Sequence, residues 1–395
     1  MGIRKLQQEA REVLENNILP YWMNNMVDRE QGGFYGRITG EEQLMADADK
    51  GSILNARILW TFSAAYRLLG NKEYLATATR AKEYLLQHFI DKQYGGVYWC
   101  LNSQGEPVDT KKQIYAIGFA IYGLSEYYRV TNDSEALKHA IALFECIEEH
   151  SFDGANNGYF EAFTRTWEEI GDMRLSDKDA NERKTMNTHL HILEPYTNLY
   201  RVWKDERLKK QLHNLILLFV EKIRDASTGH LNLFFDDTWN VKSSILSYGH
   251  DIEASWLIHE AVLLLDDKEL TARVAPVVQQ IACAASEGIS ASGGMVYEKN
   301  AVTGHTDGDY HWWVQAEAVV GYLSLYQHFK DESALNKAVC CWNFIKENLL
   351  DTKYGEWYWS LTAAGVTNRV DDKAGFWKCP YHNGRACLEI IERFV

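Results

Sequence analysis

Hydrophobic and polar positions follow two helical patterns that alternate along almost the whole chain. One pattern is amphipathic and charged on one face, which is typical of a half-exposed helix. It covers residues 3–18, 73–90, 134–149, 206–223, 268–285 and 333–349. The other pattern is apolar nearly all round and covers residues 53–69, 114–128, 186–203, 252–265, 312–329 and 380–394. A helix without a polar face must be covered on several sides, so the second set predicts six buried helices inside a ring of six others.

Short segments that join glycine to aromatic residues recur between the helical stretches. They lie at residues 32–36, 94–99, 157–161, 229–234, 293–297 and 354–359. Their spacing of roughly 60 to 70 residues leaves room for two helices and a turn. Glycine turns followed by alternating aromatics predict short strands or hairpins. The unbroken period therefore predicts one all-α domain over residues 1–395, an (α/α)6 barrel with six inner helices, six outer helices and short β-hairpins at one end.

One connection departs from this period. Residues 168–183 form a polar segment that is longer than most helix–helix connections. Such loops often cover a binding site, and they are also often disordered. The sequence therefore predicts either a cover over a binding site or a disordered segment at residues 168–183.

Polar and aromatic residues gather where the buried helices begin. Parallel inner helices would bring these starts to one end of the barrel, and burying several ionisable groups together is costly unless they serve a site. The residues are Asn55, Arg57, Tyr115, Asn187, His189, His191, His250, Glu253, Trp256, Trp312, Trp313, Gln315, Glu317, Trp377, His382, Asn383 and Arg385. Their convergence predicts a functional site.

Spacing separates some of these residues from others. Glu253 lies three residues after His250 and shares its helical face, so we expect it to orient this histidine and hold its pKa near neutrality. His189 and His191 diverge by roughly 200° on a helix, so only one can face the axis. His191 shares a face with Asn187, and His189 is interpreted as structural. A metal held by His250, Glu253 and a third histidine, His191 or His382, is an alternative.

Composition narrows the class of partner. The net charge of −14 and the lack of a basic cluster argue against nucleic acid. The 13 Trp and 22 Tyr residues fit either core packing or a carbohydrate site. Seven cysteines without a Cys-x-x-Cys motif fit a cytoplasmic protein, and no apolar run predicts a membrane segment. The chain also lacks glycine-rich nucleotide motifs and the Gly-x-Ser-x-Gly motif of acyl-transfer enzymes.

Five segments resemble motifs of the cellobiose 2-epimerases, a branch of the N-acylglucosamine 2-epimerase family. They lie in order at residues 50–60, 184–191, 247–256, 312–321 and 377–385. The form Trp-Lys-Cys-Pro-Tyr-His-Asn-Gly-Arg at 377–385 is similar to the disaccharide epimerases. Ile117 departs from the glutamine of many relatives, which suggests a less polar wall near Tyr115 and leaves the finer substrate preference open.

The resemblance implies the barrel and a reaction that needs no metal or other cofactor. That reaction is reversible C2 epimerisation of the reducing-end glucose of β-1,4-linked disaccharides, from cellobiose to glucosyl-mannose and from lactose to epilactose. The substrate would be a small-molecule disaccharide, and we expect a monomer or a weak homodimer. Rival interpretations are an N-acylglucosamine 2-epimerase or a mannose or aldose–ketose isomerase on the same barrel. Two further rivals are a glycoside hydrolase using Glu253 and Glu317, and a non-catalytic carbohydrate-binding protein.

The same resemblance implies roles for individual residues. His250 and His382 would be the two bases on opposite faces of C2, and Arg57 would stabilise the enediolate. His191, Asn187 and Tyr115 would position O1 and O2 and assist ring opening. The remaining expected substrate contacts are Trp313 and Trp377 as platforms, Glu317 and Trp256 in support, and Asp179 at the second sugar.

Overall fold

The helices of the structure follow the predicted alternation closely. The structure is a computed structural model that describes residues 2–394. Its α-helices are α1 (Ile3–Val13), α2 (Leu19–Asn25), α3 (Ser52–Leu69), α4 (Lys72–Tyr84), α5 (Ile114–Thr131), α6 (Ser134–His150), α7 (Met186–Val202), α8 (Glu206–Leu218), α9 (Tyr248–Leu265), α10 (Lys268–Ala285), α11 (Trp312–Phe329), α12 (Glu332–Asn348) and α13 (Tyr381–Arg393). A π-helical turn, Leu14–Ile18, joins α1 to α2, so the two form one outer helix. Similar turns, Leu85–Phe89 and Phe219–Ile223, extend α4 and α8.

The odd-numbered helices from α3 to α13 form a closed inner ring. Each packs against the next, and α13 closes the ring against α3. Their residues are buried on nearly all sides, whereas α4, α6, α8, α10 and α12 bury one face only. The predicted (α/α)6 barrel is therefore confirmed.

Within residues 2–394, twelve short strands gather at the end of the barrel where the inner helices begin. They are β1 (Lys50–Gly51), β2 (Cys100–Leu101), β3 (Pro107–Asp109), β4 (Lys112–Gln113), β5 (Ala162–Phe163), β6 (Lys184–Thr185), β7 (Phe234–Phe235), β8 (Ile245–Ser247), β9 (Glu298–Asn300), β10 (Thr306–Asp307), β11 (Tyr310–His311) and β12 (Ser360–Leu361). The strands β1, β4, β6, β8 and β11 each lead directly into an inner helix. They pair antiparallel with β2, β5, β7, β9 and β12. Each of these five helices therefore begins directly after a strand that is hydrogen-bonded to a neighbouring strand.

The six glycine–aromatic segments form hairpins with the chain that leaves each outer helix. Each makes a single antiparallel bridge, at Val27–Phe34, Ile90–Val97, Phe152–Tyr159, Arg224–Leu231, Ile289–Met295 and Leu350–Trp357. The predicted hairpin repeat is therefore confirmed.

A second repeat, not predicted from the sequence, consists of buried ion pairs. Four lysines just before inner helices bond aspartates that follow outer helices, in the pairs Lys50–Asp28, Lys112–Asp91, Lys184–Asp153 and Lys373–Asp351. Each aspartate also accepts backbone N–H groups of its own turn. The pairs therefore tie the hairpin turns to the chain that enters the inner helices.

Gly249 lies in the first turn of α9, where α11 packs closely against the helix backbone. The helix begins at Tyr248, which places Gly249 and His250 in its first turn. A Cβ atom at Gly249 would lie 2.7 Å from the ring of Trp313. Glycine is therefore needed here because α11 packs its tryptophan against the α9 backbone.

No helix within residues 2–394 combines the length and the apolar character needed to cross a membrane.

Candidate active site

A cavity of about 470 Å³ opens at the end of the barrel where the inner helices begin. It contains most of the residues selected from the sequence. Its walls include Arg57, Tyr115, Asn187, His191, His250, Glu253, Trp313, Trp377, His382 and, from the covering loop, Asp179. Residues 173–180 and Glu182 of the long loop line the same cavity. The interpretation of this loop as a cover over the site agrees with the structure.

Contacts within the loop and with the barrel hold this cover in place. Gln113, at the end of β4, donates its amide N–H to the carbonyls of Met173 and Arg174, each at 3.1 Å. The Asp179 carboxylate accepts the Ser176 backbone N–H at 2.9 Å. The loop therefore has a defined path, and Asp179 lies at the edge of the cavity.

Two histidines, His250 and His382, line the cavity close to Trp313. The Trp313 ring centroid lies 4.7 Å from that of His250 and 5.7 Å from that of His382. His382 Nδ1 lies 2.7 Å from a carboxylate oxygen of Glu317. The other Glu317 oxygen accepts the indole N–H of Trp256 at 3.1 Å. His250 Nδ1 instead bonds the hydroxyl of Ser247, at 2.8 Å.

A third histidine lines the cavity from α7. His191 Nδ1 lies 3.0 Å from the Glu194 carboxylate, one helical turn further along. Asn187 lies one turn before His191, and its side-chain oxygen is buried without a partner among residues 2–394. His189 points away, accepts the backbone N–H of Tyr159 and bonds the Thr185 carbonyl. The structural role predicted for His189 agrees with these contacts.

Arg57 supplies the positive charge of the cavity. Its guanidinium donates to the Tyr115 hydroxyl at 2.7 Å and lies 4.1 Å from the Phe119 ring centroid and 4.8 Å from that of Tyr381. Arg57 Nε is buried without a hydrogen-bond partner among the described residues. The aromatic rings hold the guanidinium in place and leave N–H groups for an oxygen of a bound molecule.

Comparisons with known proteins agree with this geometry. Residues 33–386 match the model of the N-acylglucosamine 2-epimerase (GlcNAc 2-epimerase) family. The chain belongs to this family. It is 67% identical over 386 residues to the cellobiose 2-epimerase of Bacteroides fragilis, covering 98% of both chains. It is 41% identical over 388 residues to the cellobiose 2-epimerase of Ruminococcus albus, again covering 98% of both.

A solved structure gives the same result. The cellobiose 2-epimerase of Bacillus thermoamylovorans superposes with a TM-score of 0.94 at 43% identity, covering 99% of this chain and 100% of the other.

Burial keeps the histidines of this family member neutral. It lowers the pKa of His250 to about 3, with a smaller effect from His191. Burial, followed by the charges of Arg57 and Arg385, lowers the pKa of His382 well below its usual value. The expectation that His250 titrates near neutrality is therefore wrong, because its desolvation outweighs any nearby carboxylate.

Glu253 has a different partner from the one that its spacing predicted. One oxygen accepts an N–H of Arg385 at 2.6 Å and lies 3.9 Å from His382 Nδ1. The other oxygen is buried without a partner among residues 2–394. The expectation that Glu253 orients His250 is wrong, since Ser247 occupies that position. A shared helical face does not decide which neighbouring helix a side chain meets.

Glu317 and Trp256 lie behind the cavity rather than in its wall. Glu317 is fully buried beneath His382. Trp256 lines a second cavity at the opposite end of the barrel. The expectation that Glu317 and Trp256 contact the substrate is therefore corrected. Glu317 instead bonds His382, and Trp256 donates to Glu317.

Ile117 also lies away from the cavity wall. Its side chain packs beside Gly96 in the layer between the inner helices and the hairpins. The expectation that this residue makes the wall near Tyr115 less polar is wrong, because the side chain points outward from the ring.

The structure does not bring the donors of the metal alternative together. That alternative named His250, Glu253 and His191 or His382, whereas the group found close enough to share an ion among residues 2–394 is Glu253, Glu317 and His382. However, one nitrogen of Arg385 lies 2.6 Å from both Glu253 and Glu317. A guanidinium already occupies the position that a cation would take, so these residues do not fit a metal.

Sequence reasoning missed the residues that support the histidines. Glu194 follows His191 by three residues, a spacing that could have identified it. Ser247 stands directly before α9, where a serine side chain often bonds the first turn. Glu161 gave no sequence signal, although it lines the cavity and accepts the hydroxyls of Thr185 and Thr188 at 2.7 and 2.6 Å.

Proposed function

We propose that this protein is a cellobiose 2-epimerase that inverts C2 of the reducing-end glucose in β-1,4-linked disaccharides. The observation that carries the proposal is a pair of neutral histidines, His250 and His382, that line one cavity with their rings 4.7 and 5.7 Å from the ring of Trp313. The 67% identity to the Bacteroides fragilis enzyme supports the same substrate class. The cavity volume of about 470 Å³ falls within the range of roughly 300–1,000 Å³ usual for small-molecule sites.

The reaction begins when the hemiacetal ring opens and C2–H becomes adjacent to an aldehyde. One imidazole removes the C2 proton from one face, and the electron pair moves to O1 to give a cis-enediolate. The negative charge of the enediolate favours protonation of the other imidazole, which takes a proton from solvent and delivers it to C2 from the opposite face. The first imidazolium releases its proton to solvent, so both histidines are neutral again when the C2 epimer has formed.

His382 is prepared to act as one of these bases. Because the Glu317 carboxylate accepts a hydrogen bond from Nδ1, the ring proton stays on that nitrogen and Nε2 keeps its lone pair. His250 is held by a hydroxyl, which can donate or accept, so its contact does not fix one tautomer. The hydrogen bonds therefore fix the tautomer of His382 but do not fix that of His250.

Arg57 would stabilise the charge that develops on O1 and O2. Its Nε–H has no partner among residues 2–394, whereas Nη2 donates to the Tyr115 hydroxyl and Nη1 to the Cys379 sulfur. A fixed donor aimed at the enediolate oxygens lowers the barrier more than one that must reorient. His191, Asn187 and Tyr115 would bind the same oxygens.

Glu253 would act as a hydrogen-bond donor to the sugar. Burial and the nearby Glu317 raise the pKa of Glu253 well above its usual value, which favours the protonated form. Its second oxygen is free of partners among the described residues, and the residue lines the cavity. A neutral carboxyl in this position can donate to a hydroxyl or ring oxygen of the substrate.

The geometry argues against an inverting glycoside hydrolase. Glu253 and Glu317 each lie 2.6 Å from the same nitrogen of Arg385. Those carboxylate oxygens are thus at most about 5 Å apart, less than the roughly 6.5–9.5 Å that an inverting pair needs. Glu317 also lies behind His382, out of reach of a sugar.

Product analysis tests the proposal directly. Pure protein would be incubated separately with cellobiose, lactose, mannose and N-acetylmannosamine, and the products identified by chromatography and NMR. We expect glucosyl-mannose from cellobiose and epilactose from lactose. Free glucose would identify a hydrolase, turnover of monosaccharides alone an isomerase or N-acylglucosamine epimerase, and calorimetric binding without product a binding protein.

A further inference from the structure

One fully buried arginine connects the residues behind two of the cavity histidines. Arg385 donates to Glu194 and contacts Tyr381 through one terminal nitrogen. Its other terminal nitrogen lies 2.6 Å from both Glu253 and Glu317. The guanidinium thus bonds three carboxylates from α7, α9 and α11.

Two of these carboxylates hold histidine rings. Glu317 accepts from Nδ1 of His382 at 2.7 Å, through the same oxygen that receives Arg385. Glu194 receives Arg385 on one oxygen and His191 Nδ1, at 3.0 Å, on the other. His250 lies outside this arrangement, because its Nδ1 bonds Ser247.

Arg385 itself lines neither cavity, so it acts on a bound sugar only through other residues. We propose that Arg385 is a positioning residue that couples His191 and His382, by holding Glu194 and Glu317 as the acceptors of both Nδ1 protons. This inference rests on the proposed epimerase function for its kinetic part only. The tautomers of the two rings follow from the contacts alone.

The charges in this cluster support the assignment. Burial raises the pKa of Glu194, but Arg385 and the His191 contact outweigh it and leave the pKa lowered, so Glu194 is ionised. Burial and the charge of Glu317 raise the pKa of Glu253, which favours its protonated form. An ionised carboxylate only accepts hydrogen bonds, so the ring nitrogen facing it must carry the proton.

Lysine cannot replace this guanidinium. The planar fork reaches Glu194 on one side and Glu253 with Glu317 on the other, whereas an ammonium is a single point charge on a flexible stem. In Arg385→Lys the positive charge remains, but at least one of Glu194, Glu253 and Glu317 loses its hydrogen bond to residue 385. The variant therefore separates the fork geometry from the charge.

The test combines ¹⁵N NMR of labelled histidines with steady-state kinetics. In the wild type we expect His191 and His382 to be neutral and protonated at Nδ1. In Arg385→Lys both should become mixtures of tautomers while His250 keeps its wild-type signals. We expect kcat for cellobiose to fall about tenfold or more, with KM changed less than about threefold. Arg273→Lys, which changes an exposed pair with Glu221, is the matched control and should alter none of these.

Two further variants keep the inference testable if Arg385→Lys does not fold. Glu317→Gln should shift the signals of His382 and, through Arg385, those of His191. Glu194→Gln should shift both in the same way. The proposal is overturned if either ring keeps its wild-type tautomer in Arg385→Lys, if His250 shifts as much as they do, or if each glutamine variant affects only its own histidine. If the tautomers shift as expected while cellobiose gives no epimer even in the wild type, the proposed function fails and the coupling stands.

Discussion

His250 and His382 face one cavity but hydrogen-bond to different partners, a hydroxyl and a carboxylate. His382 is buried and His250 is half-buried, and removing an imidazolium from water at either position costs more than its hydrogen-bond partner returns. Both therefore stay neutral over the pH range in which a free histidine is half protonated. A neutral ring is the form that removes a proton from carbon.

The pH dependence of catalysis follows from this burial. Because the folded pKa of His250 is lowered to about 3, the neutral base persists below the ordinary histidine value of about 6.5. We expect kcat/KM for cellobiose to be flat from pH 8 to about pH 5.5 and to fall only in more acidic solution. Circular dichroism at each pH would separate titration from unfolding, since lowered histidine pKa values also cost stability as pH falls below 6.5. Half-loss of kcat/KM near pH 6.5 in folded protein would contradict this account.

At the scale of secondary structure, the sequence predicted the positions of the helices better than the contacts that their side chains make. Periodicity located the barrel helices of residues 2–394 closely, because burial imposes that period directly, although the first outer helix continues to Asn25, beyond its predicted end at residue 18. The polar residues at the starts of the inner helices likewise predicted that His250, His382 and Arg57 line one cavity. The partner of Glu253 could not be predicted, because Arg385 lies 132 residues further along the chain. The buried Lys–Asp pairs span 21 to 31 residues and leave no local pattern.

The covering loop gives a prediction at the same scale. Asp179 is half-buried at the cavity edge, and we expect it to bind the non-reducing sugar. Asp179→Asn should raise KM for cellobiose about tenfold, which corresponds to about 1.4 kcal/mol, while kcat changes less. Glu168→Gln in the same loop is a suitable control, because Glu168 is exposed and does not line the cavity. Equal KM values for the wild type and both variants would remove Asp179 from the substrate contacts.

Across the whole molecule, the buried Lys–Asp pairs join turns to the inner ring. Lys184 and Asp153 lie 2.7 Å apart and are almost completely buried. Asp153→Ala leaves a buried ammonium without its partner, so we expect the free energy of unfolding to fall by about 3–5 kcal/mol. Urea denaturation would measure it.

Glu221→Ala provides the comparison for that prediction. It removes an exposed pair with Arg273 and should change the free energy of unfolding by no more than about 1 kcal/mol. Equal effects of the two substitutions would show that the buried pairs do not hold the barrel together.

The central claim is that His250 and His382 move a proton on and off C2 from opposite faces. The most direct measurement is NMR of the sugars after incubation with cellobiose in deuterated water. The wild type should give glucosyl-mannose that carries deuterium at C2, whereas folded His250→Ala and His382→Ala should give no epimer. Epimer without deuterium at C2, or near-wild-type epimerisation by either variant, would contradict the two-histidine mechanism.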